Sequence, residues 1–352
     1  MEPVRLGIIG CGVIGSSHLD AASSWEGIDV VAVADLREDV AHGMADQYGV
    51  ETVYVEGEDL LKDDRIEGVV LAMPAVVRTD LALKAFTHQK HVLTEKPVAM
   101  NADEVKRLID ARGDRVVGAC SCRFRFTKSS AVATEFIAAG HLGDLRVVHC
   151  RALRPGKEPP QTPPPVWRLR KDLNGGGVMS NWGCYDLDFL LGLIGWTLKP
   201  KMVLGQTWMV PPKFQAMADP SSDAETHLVA TIMCENGTAI HFERGEMVAA
   251  QEDRGWQVIG AEGSLNLQMR PAADKKIVFD RATSESGVVS EVIWEGADEW
   301  SEIHEGPVRD FARAIREGRS PKTSLEQALV VQQITDAIYA SAEQGKAVEI
   351  GS

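Results

Sequence analysis

Gly10, Gly12 and Gly15 punctuate the run Leu6-Gly7-Ile8-Ile9-Gly10-Cys11-Gly12-Val13-Ile14-Gly15, where an apolar strand pattern passes directly into a helical one. In that setting Gly10 permits a tight turn, Gly12 lets the backbone approach a pyrophosphate, and Gly15 lets the helix pack closely on the strand. The helix opens around Val13 and Ile14, where unpaired N–H groups and the helix dipole favour an anion. A glycine-rich turn that binds nothing is the bland alternative. It is disfavoured because a second apolar strand follows and ends in Ala34-Asp35, at the spacing of a ribose-binding acid. A carboxylate there accepts hydrogen bonds from both ribose hydroxyls of NAD and repels the 2′-phosphate of NADP. Arg37, two residues on, could clamp that phosphate instead. NAD is the expected cofactor and NADP the alternative.

A second reactive feature is His91-Val92-Leu93-Thr94-Glu95-Lys96-Pro97, which ends a buried strand with a lysine. A lysine at the carboxyl end of a parallel strand faces the crevice where open α/β sheets bind ligands. Most strand-end lysines are solvated surface amines, so position alone does not give Lys96 a role. Pro97 fixes the turn that follows, and a cis bond is open to it. No metal is expected: the histidines make no HxxxH or HExxH arrangement, and the cysteines include no CxxC pair.

The elements that must position these residues are legible as patterns. Short β-branched runs (Val4–Ile9, Val30–Ala34, Val53–Val55, Val69–Ala72, Val92–Thr94, Val116–Ala119) alternate with helical stretches (Ser17–Trp25, Asp39–Tyr48, Thr79–Thr87, Ala102–Ala111). This alternation implies βαβ units and a parallel sheet. Asn101, three residues before Glu104, reads as a helix N-cap. After Cys122 the texture changes. A helix (Ser129–Ala139) and a strand (Leu145–Ala152) precede a proline-rich segment, Arg154–Pro165, too short to link independent domains and read as an ordered loop. An apolar helix follows Asn174-Gly175-Gly176-Gly177 and runs to about Ile194. Alternating runs from Lys201 to about Ile293, broken by Asn236-Gly237 and Glu262-Gly263, suggest an antiparallel sheet. Two helices, Val308–Glu317 and Leu325–Gln344, close the chain. The expected organisation is a dinucleotide-binding domain over residues 1–122 and a substrate-binding and oligomerisation domain over 123–352.

Composition sets the outer limits. A chain of 352 residues with 44% hydrophobic and 25% charged residues has material for two globular domains. A net charge of −14 argues against nucleic-acid and anionic-membrane partners, which need a basic surface. The apolar run around Val69–Val77 is far short of the ~20 residues a membrane span needs. The scattered cysteines lie mostly in apolar runs and read as buried thiols, and the start of the chain lacks a signal-peptide core, so a cytoplasmic location is expected.

Taken together, Gly10–Gly15, Glu95-Lys96-Pro97, Val166-Trp167-Arg168, the stretch Gly175–Asp188 and Asp310–Gly318 resemble the glucose–fructose oxidoreductase / inositol dehydrogenase (Gfo/Idh/MocA) family over nearly the whole chain. The resemblance implies an α/β N-terminal Rossmann domain and a C-terminal α+β domain with an open, mostly antiparallel sheet. The outer face of that sheet commonly forms a subunit interface, so a homo-oligomer, dimer or tetramer, is implied. It also implies that Lys96 contacts the substrate hydroxyl and the nicotinamide region, with Glu95 and Pro74 on the cofactor side.

The family's aspartate and histidine, four residues apart, correspond to Asn181 and Tyr185. In a helix that spacing brings two side chains to one face. Tyrosine is compatible with proton relay, since a phenol beside an ammonium gives up its proton more readily. Asn181 can orient a hydroxyl but cannot act as a base. The bland alternative for Tyr185 is a buried ring capping a backbone group. Ala75 and Arg78 replace two polar residues expected after the fourth strand. Trp167 and Arg168 could cover a sugar ring, aromatic face on C–H groups and guanidinium to hydroxyls, or Trp167 could pack under the proline-rich loop. Arg125 either faces substrate or makes an interdomain salt bridge. The activity implied is hydride transfer between a secondary alcohol of a sugar, glycoside or polyol and a nicotinamide. The rivals are glycoside cleavage through transient sugar oxidation, and a non-catalytic dinucleotide- or sugar-sensing regulator.

Overall fold

The computed structural model describes residues 2–162 and 165–351, so Pro163 and Pro164 of the expected ordered loop lie outside the described residues. The chain divides into two compact units, Met1–Arg123 with Ser301–Leu329, and Phe124–Trp300 with Val330–Ser352.

The first unit alternates strand and helix: β1 (Val4–Ile9), α1 (Val13–Ser23), β2 (Ile28–Ala34), α2 (Glu38–Tyr48), β3 (Thr52–Tyr54), α3 (Gly57–Leu61), β4 (Gly68–Leu71), α4 (Ala75–Thr87), β5 (His91–Thr94), α5 (Ala102–Ala111) and β6 (Val117–Ala119). All neighbouring strands pair parallel, in the order β3-β2-β1-β4-β5-β6. That order is the doubly wound one, with its switch point between β1 and β4. Period-two alternation divides the strand residues between two cores. Val69, Leu71 and Val92 face one core with Leu60, Ala82, Phe86 and Leu108. Val70 and Leu93 face the other with Leu19, Ala22 and Ala41. Val308, Phe311 and Ala312 complete that second core, and Leu325 and Ala328 the first. This burial draws Ser301–Leu329 into the first unit, a segment the boundary at residue 122 had left with the second. The Asn101 side chain accepts from the Glu104 amide at 2.9 Å, the expected N-cap.

The second unit contains α6 (Lys128–Ala138), β7 (Leu145–Pro155), α7 (Lys171–Asn174), α8 (Cys184–Leu193), β8 (Pro200–Trp208), β9 (His227–Cys234), β10 (Ala239–Val248), β11 (Asp253–Gly260), β12 (Gly263–Leu267), β13 (Lys275–Thr283) and β14 (Gly287–Gly296). Two helices shared between units, α9 (Trp300–Glu317) and α10 (Leu325–Gln344), precede β15 (Val348–Glu349). The strands form a nine-stranded sheet, β14-β13-β12-β11-β7-β10-β9-β8-β15, in which β7 and β10 alone run parallel. Every residue of α8 is buried, and its two aspartates, Asp186 and Asp188, are paired with Arg244 and Arg125.

Three expectations need correction. The helix expected from the glycine run to Ile194 starts as a π-helical turn, Met179–Gly183, before α8. Helix α9 starts at Trp300 rather than Val308, because Pro307 is accommodated inside it instead of ending it. Helix α3 was not anticipated, since five residues are too few to show a helical period.

Candidate active site

The dinucleotide end lies wholly in the first unit. Gly10 has φ +96°, and a Cβ there would lie 2.7 Å from the Ala72 carbonyl oxygen. A Cβ on Gly15 would lie 1.9 Å from the Gly10 oxygen, so the helix could not close on the strand with any larger residue. Gly12 is different: a Cβ there meets nothing within 4 Å. It is also the N-cap of α1 and offers no side-chain cap, while Val13 beside it is 91% exposed. The turn therefore leaves open space in front of uncapped helix N–H groups, which fits a pyrophosphate.

Asp35 accepts from the Cys11 amide at 2.8 Å and the Arg37 amide at 2.9 Å. Burial opposes its ionisation, but those two N–H groups and the Arg37 guanidinium hold its carboxyl below the usual range. Arg37 approaches Asp35 at 3.3 Å while remaining mostly exposed. Pro74 is exposed and forms the N-cap of α4. The residues present fit a dinucleotide.

Lys96 follows β5, and its bond to Pro97 is cis. Directly before it, Glu95 is buried in a polar cluster. His18 Nε2 lies 2.9 Å from Glu95 Oε1, and Arg123 donates to the same oxygen at 2.6 Å. Glu95 Oε2 accepts from the Lys96 amide at 3.1 Å. Burial raises the carboxyl pKa, but Arg123, His18 and the Lys96 ammonium outweigh it and keep Glu95 ionised. His18, Glu95 and Cys120 present ligand-type atoms within 4.8 Å of one another. The Arg123 guanidinium already supplies the positive charge a metal would bring. Arg78, in place of the polar residue expected there, is buried and donates to Thr94 Oγ1 at 3.4 Å.

In the second unit the π-turn is held by Glu225. Its Oε2 accepts from the Gly177 amide and its Oε1 from the Met179 amide, both at 2.9 Å, and Tyr339 donates to Oε1 at 3.0 Å. Burial nevertheless raises the Glu225 pKa above the ordinary value. A Cβ on Gly177 would lie 1.9 Å from the Glu225 carbonyl oxygen, so only glycine lets the two segments meet. Asn181 lies on the turn and donates to the Arg168 carbonyl at 2.6 Å, tying the turn to the short 3-10 helix Val166–Leu169. Arg168 itself pairs with Glu246, which Arg154 also reaches at 3.0 Å. Trp167 is 40% exposed. Tyr185 is buried, its ring edge-on to Phe124 at 5.2 Å and to Trp182 at 5.8 Å.

Arg125 pairs with fully buried Asp188 at 3.1 Å and lies 5.6 Å from the Trp196 ring, and a Cβ on Gly192 would strike its guanidinium.

Residues 4–117 match the family model described as an oxidoreductase family with an NAD-binding Rossmann fold. Residues 131–266 match that of the GFO/IDH/MocA C-terminal domain. The chain belongs to the Gfo/Idh/MocA oxidoreductase family. It is 26% identical over 350 residues to a D-xylose 1-dehydrogenase (NADP(+)) of Haloferax volcanii, covering 99% of this chain and 100% of the relative. It is 20% identical over 348 residues to a myo-inositol 2-dehydrogenase of Thermotoga maritima, covering 99% and 98%. Its fold is similar to that of a levoglucosan dehydrogenase solved with NADH and L-sorbose, with TM-score 0.86, 22% identity and full coverage of both chains.

Within this Gfo/Idh/MocA member, sequence reasoning missed the residues that hold the motif residues in place. His18 falls on the first turns of α1 and Arg123 just past β6, and nothing local marks either as a partner of Glu95. Glu225 sits just before β9 and Glu246 within β10. Their only signal would have been an acidic residue in a stretch otherwise reading as core.

Proposed function

We propose that this chain is an NAD(P)-dependent dehydrogenase that oxidises a secondary alcohol of a sugar or polyol, with NAD preferred. Relatives named for xylose and inositol oxidation support the substrate class. The preference for NAD is favoured by the ionised Asp35 at the end of β2. A relative named for NADP(+) makes that preference a point to measure.

The observation that carries the reading is Lys96, placed after β5 beside an ionised Glu95, in the same unit as the open glycine turn. Gly10, Gly12, Val13, Ile14, Gly15, Asp35 and Pro74 would hold the dinucleotide, which when bound supplies the hydride acceptor. Lys96 binds the reacting hydroxyl and stabilises the negative charge that grows on its oxygen. Tyr185 is the second proton-handling group, and Asn181 positions rather than reacts, its amide being committed to Arg168. Trp167, exposed beside Arg168, lies against the sugar.

Residues 1–122 carry the cofactor role and 123–352 the substrate and self-association roles. A cytoplasmic homo-oligomer is the form proposed: all six cysteines are free and buried, which suits a reducing compartment. No helix among the described residues is long and apolar enough to cross a membrane.

The test is Lys96→Ala. NADH formation from the best substrate in a sugar and polyol screen should be abolished while cofactor affinity is retained, because only a proton-handling group is lost. Near-normal turnover would overturn the assignment. Stoichiometric NADH distinguishes oxidation from redox-neutral glycoside cleavage.

A further inference from the structure

One face of the second unit's sheet carries a concentration of arginine at one end, where it passes from buried Arg244 to exposed Arg254. Ala152 on β7 pairs with Arg244 on β10 and with Arg254 on β11, so the two arginines flank it on one face. Arg154, two residues further along β7, shares that face by strand alternation. Arg168 reaches the same end through Glu246. Most of these cations have an acid: Arg244 has Asp186 at 3.2 Å, Arg254 has Glu252, and Arg154 and Arg168 share Glu246.

Arg270 does not. Among the described residues it has no carboxylate partner, and its Nε is buried without a hydrogen bond. It rests instead on two indole rings, 5.8 Å from the Trp182 centroid and 5.1 Å from that of Trp300. Burial and the positive charges of Arg254, Arg154 and Arg244 push its pKa down, against the opposing charge of Glu252. A guanidinium without a hydrogen-bonded carboxylate, with further arginines around it, is a standing electrostatic cost. Trp182 lies between this patch and Tyr185: Arg244 covers the indole at 4.8 Å, and Tyr185 meets it edge-on. One aromatic ring, Trp182, thus stands between the patch and a proposed reacting group.

We propose that Arg270, with Arg154 and Arg168, forms an anion subsite, and that the substrate is a sugar bearing a carboxylate or phosphate. This rests on the dehydrogenase reading and narrows it. Guanidinium groups present paired N–H donors that match both anions, and a half-buried one whose Nε lacks a hydrogen bond gains most from such a ligand.

The test compares glucuronate and glucose 6-phosphate with glucose, using the NAD-loaded protein, by NADH formation and by calorimetric binding. At least one of the two acids should bind at least about tenfold more tightly than glucose, the range of one charge-assisted hydrogen bond. Which acid binds tells carboxylate from phosphate. Arg270→Gln should bring the acid-to-neutral ratio close to one, Arg270→Lys should restore part of it, and added salt should shrink it in the parent protein. Oxidation of glucose equal to or better than that of both acids overturns the proposal and leaves the dehydrogenase reading standing. Arg270-dependent binding of an acid without NADH formation supports the subsite and overturns the dehydrogenase reading. Binding of neither acid overturns the subsite.

Discussion

Glu225 offers a direct test of how the second unit positions its candidate residues. Its carboxylate satisfies two buried backbone donors, Gly177 and Met179, at the point where the chain enters the π-turn carrying Asn181. Glu225→Gln keeps the shape but leaves one acceptor oxygen, so one donor faces an NH₂ group. An unsatisfied buried donor costs about 1–3 kcal/mol. Relief of the buried charge, whose cost appears in the raised pKa, offsets part of this. A net loss of about 1–2 kcal/mol is expected for the glutamine. Glu225→Ala strands both donors and the Tyr339 hydroxyl and removes side-chain volume, so about 3–5 kcal/mol is expected. Urea unfolding followed by tryptophan fluorescence measures both. In folded samples kcat/KM should fall while cofactor affinity stays, because the glycine turn belongs to the other unit. The reasoning is refuted if Glu225→Ala costs less than about 1 kcal/mol, or if cofactor affinity falls as much as activity does.

Glu95→Gln should cost about 3–5 kcal/mol, because it removes the buried carboxylate that Arg123 and His18 share; chemical denaturation would show it, and a neutral effect would mean the cluster relaxes. Asp35→Ser should weaken NAD binding about 10–100-fold, from two lost charge-assisted hydrogen bonds, with little loss for NADP. Titration with both cofactors checks this, and equal losses would mean Asp35 serves only the Cys11 and Arg37 amides. Glu67 has its pKa lowered to about 2 by its hydrogen bonds to Arg316, outweighing burial. A depressed carboxylate pKa gives stability that is full above the unfolded value and lost as pH falls towards 2, so Arg316→Ala should flatten the acid limb of a stability profile.

The parts of the site that could be read from sequence are those where one physical requirement selects one residue type locally. Gly10 needs a positive φ and Gly15 a close approach, and both demands fall within a single strand–turn–helix. Asp35 and Lys96 were legible because each ends a strand whose apolar pattern shows where it stops. The parallel sheet followed from strand–helix alternation over a hundred residues, where errors of a residue or two at the ends do not matter.

What stayed hidden depends on pairs distant in the chain. Glu225 meets Gly177 across 48 residues and Arg123 meets Glu95 across 28, and no periodicity encodes which acid meets which donor. Arg125 shows the converse. Its position after the last Rossmann strand suggested substrate contact or a role between domains, and nothing in that position shows that it pairs with Asp188 of α8. Asn181 shows both at once. Its letter was read as a weakened catalytic aspartate, but in this fold an amide does something a carboxylate cannot: it donates to the Arg168 carbonyl. An aspartate there would set two acceptors against each other at the distance observed, so this chain's asparagine is matched to the position of its Trp167-Arg168 turn. Asn181→Asp should therefore loosen that turn rather than restore a family-like base, with KM rising more than kcat changes. A gain in kcat at unchanged KM would show that the carboxylate had been the missing catalytic group.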